Sequence, residues 1–134
     1  MKKLITTCVS DLKDKYKNRE ILIQGDDITL KVDETLISMA ISNLIENALK
    51  YSEDEIIVNI SQNSICVIDK GIGIPVEEQE HLFQRFFRAR NVTNIQGTGL
   101  GLNIVGKYLE IMKGSITFES QVDVGTTFRI VIPN

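Results

Sequence analysis

Residues 33–52 read DETLISMAISNLIENALKYS, and residues 55–74 read EIIVNISQNSICVIDKGIGI. In the first stretch Leu36, Ile37, Ala40, Ile41, Leu44, Ile45, Ala48 and Leu49 recur at helical spacing. They make a broad apolar face, with Asp33 placed to cap a helix that reaches about Lys50. In the second stretch EIIVNIS and SICVID flank the turn-like Gln62-Asn63, so a hairpin is expected to feed the glycine-bearing loop Lys70-Gly71-Ile72-Gly73-Ile74-Pro75. A long amphipathic helix beside paired strands calls for a helix layer on a sheet.

The flanking sequence extends both layers. Leu4, Ile5, Cys8, Val9, Leu12 and Tyr16 fall on one face of a first helix. REILIQG and ITLKV alternate around Gly25-Asp26-Asp27 and read as two short strands joined by a turn. Beyond the loop, Val76 to Phe87 is helical in pieces, and Arg88 to Gly97 has neither period and reads as an exposed loop. A third long helix begins near Gly99, directs Ile104, Val105, Tyr108, Leu109 and Met112 inward, and stops at Lys113-Gly114. SITFES and TFRIVI then flank Gly125 as final strands. The fold class expected is α/β (α+β): a two-layer sandwich, its mixed and mostly antiparallel sheet covered on one face by three helices.

With 134 residues the chain fits a single domain over 1–134. Its 43% hydrophobic and 25% charged residues are those of an ordinary globular protein. A net charge of -3 provides no basic face for displacing counterions from nucleic acid, so no nucleic-acid partner is expected. No run of about 20 apolar residues could span a bilayer, and the apolar start is broken by Thr6, Thr7, Ser10 and Asp11. The domain is expected in the cytoplasm, without direct membrane contact. Cys8 and Cys66 lack CxxC spacing and read as packing residues.

Neither GxxxxGK[ST] nor GxGxxG occurs. Four other segments can carry chemistry. Asn43, Asn47 and Lys50 share one helix face; amide oxygens suit Mg²⁺, and the lysine can neutralise phosphate. A solvated helix face is the plainer reading of the same residues. Asp69 ends a strand ahead of two glycines, and its carboxylate could accept a hydrogen bond from adenine's amine where guanine presents an acceptor. Gly97-Thr98-Gly99-Leu100-Gly101-Leu102 leads into a helix start, where free N–H groups and the dipole favour phosphate. In Leu82-Phe83-Gln84-Arg85-Phe86-Phe87-Arg88 the aromatics would anchor a loop, and Arg85 or Arg88 could reach a terminal phosphate.

Together and in this order, the segments resemble the catalytic ATP-binding domain of sensor histidine kinases, within the superfamily that includes gyrase, Hsp90 and MutL. NLIENALKYS is similar to the family's N box, DKGIGI to its G1 box, LFQRFF to its F box, GTGLGL to its G2 box and GTTF to its terminal strand motif. The resemblance implies a Bergerat-type ATP-binding fold with ATP and Mg²⁺ as ligands. Asn47 would be the principal metal ligand with Asn43 beside it, Lys50 would contact phosphate and Tyr51 would pack near adenine. Asp69 would recognise the adenine amine, assisted through water by Thr126. Gly71, Gly73, Ile74 and the segment Gly97, Thr98, Gly99, Leu100, Gly101 and Leu102 would line the site. Residues 88–97 would form the lid, and Arg85 would help at the γ-phosphate.

Hydrolytic members of that superfamily carry a general-base glutamate where this chain has Asn43, and an amide cannot take the proton. The resemblance therefore implies γ-phosphoryl transfer in two-component signalling, with slow hydrolysis. The acceptor is expected on a histidine-bearing helical hairpin of a parent kinase, in sequence before Met1, with a response regulator engaged through it. His81, the only histidine, precedes Leu82-Phe83 and reads as structural. A serine kinase of the anti-sigma type and a nucleotide-gated interaction module without transfer are the alternatives.

Overall fold

The computed structural model describes residues 1–28, 32–74 and 101–133, with side chains of 101–103 excepted. The elements are α1 (Lys2–Lys15), β1 (Ile21–Gly25), α2 (Glu34–Lys50), β2 (Ile56–Ser61), β3 (Ser64–Asp69), α3 (Gly101–Ile111), β4 (Ser115–Gln121) and β5 (Gly125–Val131). The Asp33 carboxylate accepts the N–H groups of Thr35 at 2.9 Å and Leu36 at 3.1 Å, which fixes where α2 begins. Glu34 in the first turn and Lys50 in the last complement the helix dipole.

The five strands form one sheet in the order β1-β2-β3-β5-β4. β1 runs parallel to β2, and every other pairing is antiparallel. This is the expected mixed sheet with three helices. β1 pairs with β2, in the register Ile21 with Ile56 through Gly25 with Ile60, and most of the expected second strand ITLKV lies outside the described residues. Ile28 and Val32 lie in no strand, and residues 29–31 fall outside the described residues. Asp26 continues the ladder by donating its N–H to the Ile60 carbonyl at 3.0 Å. Asp27 turns back to α1 and accepts the Lys2 N–H at 3.1 Å. Ile21 is buried in the core, which fixes β1 against a distant partner that short-range alternation does not reveal.

Direct cross-strand partners divide the sheet into rungs. Ile60, Ile65, Ile130 and Ile116 make one; Val58, Val67, Phe128 and Phe118 make the next. Against them α2 buries Ile37, Ala40, Ile41, Leu44, Ile45, Ala48 and Leu49. α1 adds Ile5, Val9 and Leu12, and α3 adds Val105 and Leu109 with Tyr108 and Met112 packed beside them. Truncating a fully enclosed side chain such as Leu44 to Ala leaves a cavity costing about 2–5 kcal/mol. α3 closes in a Schellman turn, with Gly114 N–H to Leu109 O at 2.8 Å and Lys113 N–H to Glu110 O at 3.1 Å. The left-handed residue there is Lys113 (φ 60°), one position before the glycine that the sequence suggested. Cys8 and Cys66 are both free and buried.

Candidate functional site

Two residues beyond the Val67–Phe128–Phe118 rung, the apolar ladder becomes polar. Asp69 on β3 lies opposite Thr126 on β5, and Thr126 opposite Ser120 on β4. Strand alternation places these three on the same face as the core residues, at the end of the sheet. Asp69 and Thr126 are each only 7% exposed. Burial raises the Asp69 carboxyl from its ordinary 3.8 to about 6; the N–H groups of Gly71 and Thr126 and the charge of Arg19 offset part of that effect. The Gly71 N–H is 2.9 Å from Oδ1.

The loop after β3 fastens this rung to α2. Ile72 donates its N–H to the Tyr51 carbonyl at 3.1 Å, just past the end of α2, and its own carbonyl accepts from Asp123 at 2.9 Å. A Cβ at Gly71 would overlap the Tyr51 carbonyl oxygen, so only glycine permits this approach. Gly73 adopts φ +70° with its α-carbon turned to the Gln121 carbonyl, again closed to a side chain. Ile74 donates its N–H to Ser120 Oγ at 2.8 Å.

Asn43, Asn47 and Lys50 lie on the half-buried flank of α2. Asn43 Nδ2 is 2.9 Å from the Met39 carbonyl. Because a carbonyl can only accept, the atom there must be the nitrogen, and the hard Oδ1 is the other end of the amide. That donor suits a metal which prefers oxygen and keeps several waters. Lys50 Nζ is 3.8 Å from Glu46 Oε1, which lies 2.8 Å from Lys15 Nζ. The Lys15 hydrogen bond is the largest cause holding the Glu46 carboxyl below its ordinary range.

Sequence reasoning missed Arg19, which it placed only as the first residue of the strand segment REILIQG. Its Nη1 donates to the Leu49 carbonyl at 2.6 Å, and its Nη2 to Ser52 Oγ at 2.9 Å and the Asp54 carbonyl at 2.8 Å. Ser52 Oγ donates in turn to the Ala48 carbonyl at 2.7 Å. Arg19 thus supplies donors to the otherwise unsatisfied end of α2 and fixes where Lys50 and Tyr51 leave it. Ser120 was missed as well, since a lone serine in an alternating strand gives no signal.

Of the sequence-identified residues, the fold brings together Tyr51, Asp69, Gly71, Gly73, Ile74 and Thr126, with Asn43, Asn47 and Lys50 along the adjoining helix. Gly101 and Leu102 form the first turn of α3, which packs against α2. Arg85, Gly97, Thr98, Gly99 and Leu100 lie outside the described residues, as do His81, the aromatic segment and the 88–97 loop. Among the described residues no group of three or more His, Cys, Asp or Glu could hold a metal ion. No described helix is long and apolar enough to cross a membrane.

Residues 32–134 match the family described as histidine kinase-, DNA gyrase B-, and HSP90-like ATPase. The chain is 38% identical over 141 residues to the sensor-like histidine kinase SenX3 of Mycolicibacterium smegmatis, a match covering 97% of this chain and 37% of that protein. It is 33% identical to the heme sensor protein HssS of Staphylococcus saprophyticus over 97% of this chain and 30% of that one. The chain thus spans about a third of the length of these relatives. Among solved structures, the catalytic domain of histidine kinase ThkA superposes with a TM-score of 0.80 at 27% identity, covering 99% of this chain and 91% of that one. The mycobacterial sensor histidine kinase MprB shares the fold, with a TM-score of 0.86 at 24% identity over 99% of this chain and 95% of that one.

Proposed function

Because this chain belongs to the histidine kinase-, DNA gyrase B-, and HSP90-like ATPase family, we propose that it binds Mg-ATP and donates the γ-phosphoryl group to a histidine on a helical hairpin of a parent sensor kinase. The observation that carries the reading is the buried Asp69 carboxylate, 7% exposed, at the core-facing end of the sheet beside the polar flank of α2. The Gly71 and Thr126 N–H groups offset only part of the cost of holding a carboxylate in so dry a place, and a further donor would be favoured there. Adenine's amine is such a donor, whereas guanine's oxygen is not.

Asp69 orients the base, and the Gly71–Ile74 backbone approaches it without side-chain obstruction. Lys50 leaves its loose partner Glu46 to face phosphate charge, and Arg85 is assigned to the γ-phosphate. The segment Gly97, Thr98, Gly99 and Leu100, continuing into Gly101 and Leu102, supplies backbone donors for the phosphates. Asn43 and Asn47 would hold Mg²⁺, which when bound would supply positive charge to offset that of the phosphates. With an amide at Asn43 no side chain there can activate water, so transfer is favoured over hydrolysis. The phosphorylated hairpin would then serve a response regulator.

The test combines the chain with γ-labelled ATP, Mg²⁺ and the hairpin of its parent kinase. Acid-labile phosphate on the hairpin is expected, with slow ATP turnover by the chain alone. Acid-stable phosphate would point to serine, rapid turnover would contradict the assignment of Asn43, and binding without transfer would leave an interaction module.

A further inference from the structure

Among the described residues the hydroxyl of Ser120 meets three groups. It accepts the Ile74 N–H at 2.8 Å, lies 2.8 Å from Thr126 Oγ1, and reaches the Gly125 carbonyl at 3.3 Å. A hydroxyl has one proton and two lone pairs. The Gly125 carbonyl can only accept, so the Ser120 proton must go there if that contact is made. The Ile74 N–H can only donate, which takes one lone pair. One assignment satisfies all three contacts: Thr126 donates its proton to Ser120, and Ser120 passes its own to Gly125. Thr126 Oγ1 then has no proton left to offer and turns only lone pairs toward the Asp69 end of the rung.

From this geometry we infer that Ser120 is a specificity-determining positioning residue: it fixes the Thr126 hydroxyl as an acceptor beside Asp69, so that the rung selects a base bearing donors there. The inference rests on the reading that Asp69 faces the purine. An adenine 6-amino group supplies two N–H donors, directly or through a water. A 6-oxo purine presents an acceptor instead and, at a pH where Asp69 is ionised, meets two acceptors. Without Ser120, the Thr126 hydroxyl is free to rotate and donate, and the penalty against an oxygen at that position falls. Ser120 touches neither base nor phosphate in this account; it acts through Thr126 and through the Ile74 N–H.

The experiment measures dissociation constants of Mg-ATP and Mg-ITP, which differ at the 6-position, for the unaltered chain, Ser120→Ala, Ser120→Thr and Thr126→Val. The ATP-to-ITP preference should narrow by about tenfold in Ser120→Ala, chiefly through better ITP binding, because a site that can invert a hydroxyl no longer rejects the oxygen. Ser120→Thr keeps the hydroxyl and should restore the preference. Thr126→Val, which removes the acceptor without touching Ser120, should narrow it as well and serves as an independent arm should Ser120→Ala fold poorly. Equal weakening of both nucleotides in Ser120→Ala would reduce Ser120 to a loop fastener and overturn the inference. No preference in the unaltered chain would overturn the adenine reading itself, and this inference with it.

Discussion

The two polar regions at the candidate site are built on opposite principles. On α2, Asn43, Asn47 and Lys50 stand on a half-buried flank, and among the described residues Lys50 is paired with a carboxylate 3.8 Å away that already serves Lys15. On the sheet, Asp69, Thr126 and Ser120 form a rung continuous with the core, with the Gly71 N–H 2.9 Å from the Asp69 carboxylate and the Thr126 and Ser120 hydroxyls 2.8 Å apart. The flank can exchange partners cheaply because water replaces what is lost. The rung cannot, since a buried polar group without its partner costs free energy. The difference suits the two tasks proposed for them, exchange of phosphates and metal at the flank and reading of the base at the rung.

Breaking the rung should therefore cost the most. Asp69→Ala is expected to weaken ATP binding by about 100-fold, the scale of losing a hydrogen bond to a charged group in a dry site, measurable by calorimetric titration. A loss of less than about threefold would mean that Asp69 is not at the base. Next in size is the joint between the regions. Arg19→Ala removes donors from Leu49, Ser52 and Asp54 and should lower unfolding stability by about 2 kcal/mol in urea titration. Nucleotide affinity should fall alongside it, because the end of α2 that carries Lys50 and Tyr51 loses its anchor.

The acid dependence sharpens the comparison further. With its carboxyl raised to about 6, Asp69 binds a proton more tightly folded than unfolded. Its contribution to stability is fully present below 3.8 and is lost as pH rises through about 6, an effect of about 3 kcal/mol at most. ATP binding should run the other way, weakening by about tenfold between pH 7.5 and 5 as the acceptor is neutralised. Asp69→Asn should abolish both slopes. At the small end, Lys15→Ala breaks an exposed pair on the flank side and should leave the thermal midpoint and ATP affinity unmoved.

The same contrast explains what the sequence disclosed. Helix α2, its cap at Asp33 and the hairpin of β2 and β3 were legible because the 3.6 and 2.0 periods and the capping chemistry are local. The partner of β1 was not, since parallel pairing with β2 joins segments 35 residues apart in the register Ile21 to Ile56, and nothing between them marks it. Asp69 and its glycines announced themselves through a strand-end acid and the spacing of DKGIGI. Arg19 and Ser120 did not, because their roles arise only when distant strands and helix ends meet. The Asn43, Asn47 and Lys50 stripe had a plain alternative as a solvated face, and only its place beside the buried rung gives it a chemical context.

The most direct test is to titrate Mg-ATP and Mg-GTP separately into the unaltered chain at pH 8, where Asp69 is ionised. The account predicts that ATP binds at least about 100-fold more tightly, because the buried acceptors reject the guanine oxygen. Equal binding of the two nucleotides would contradict it.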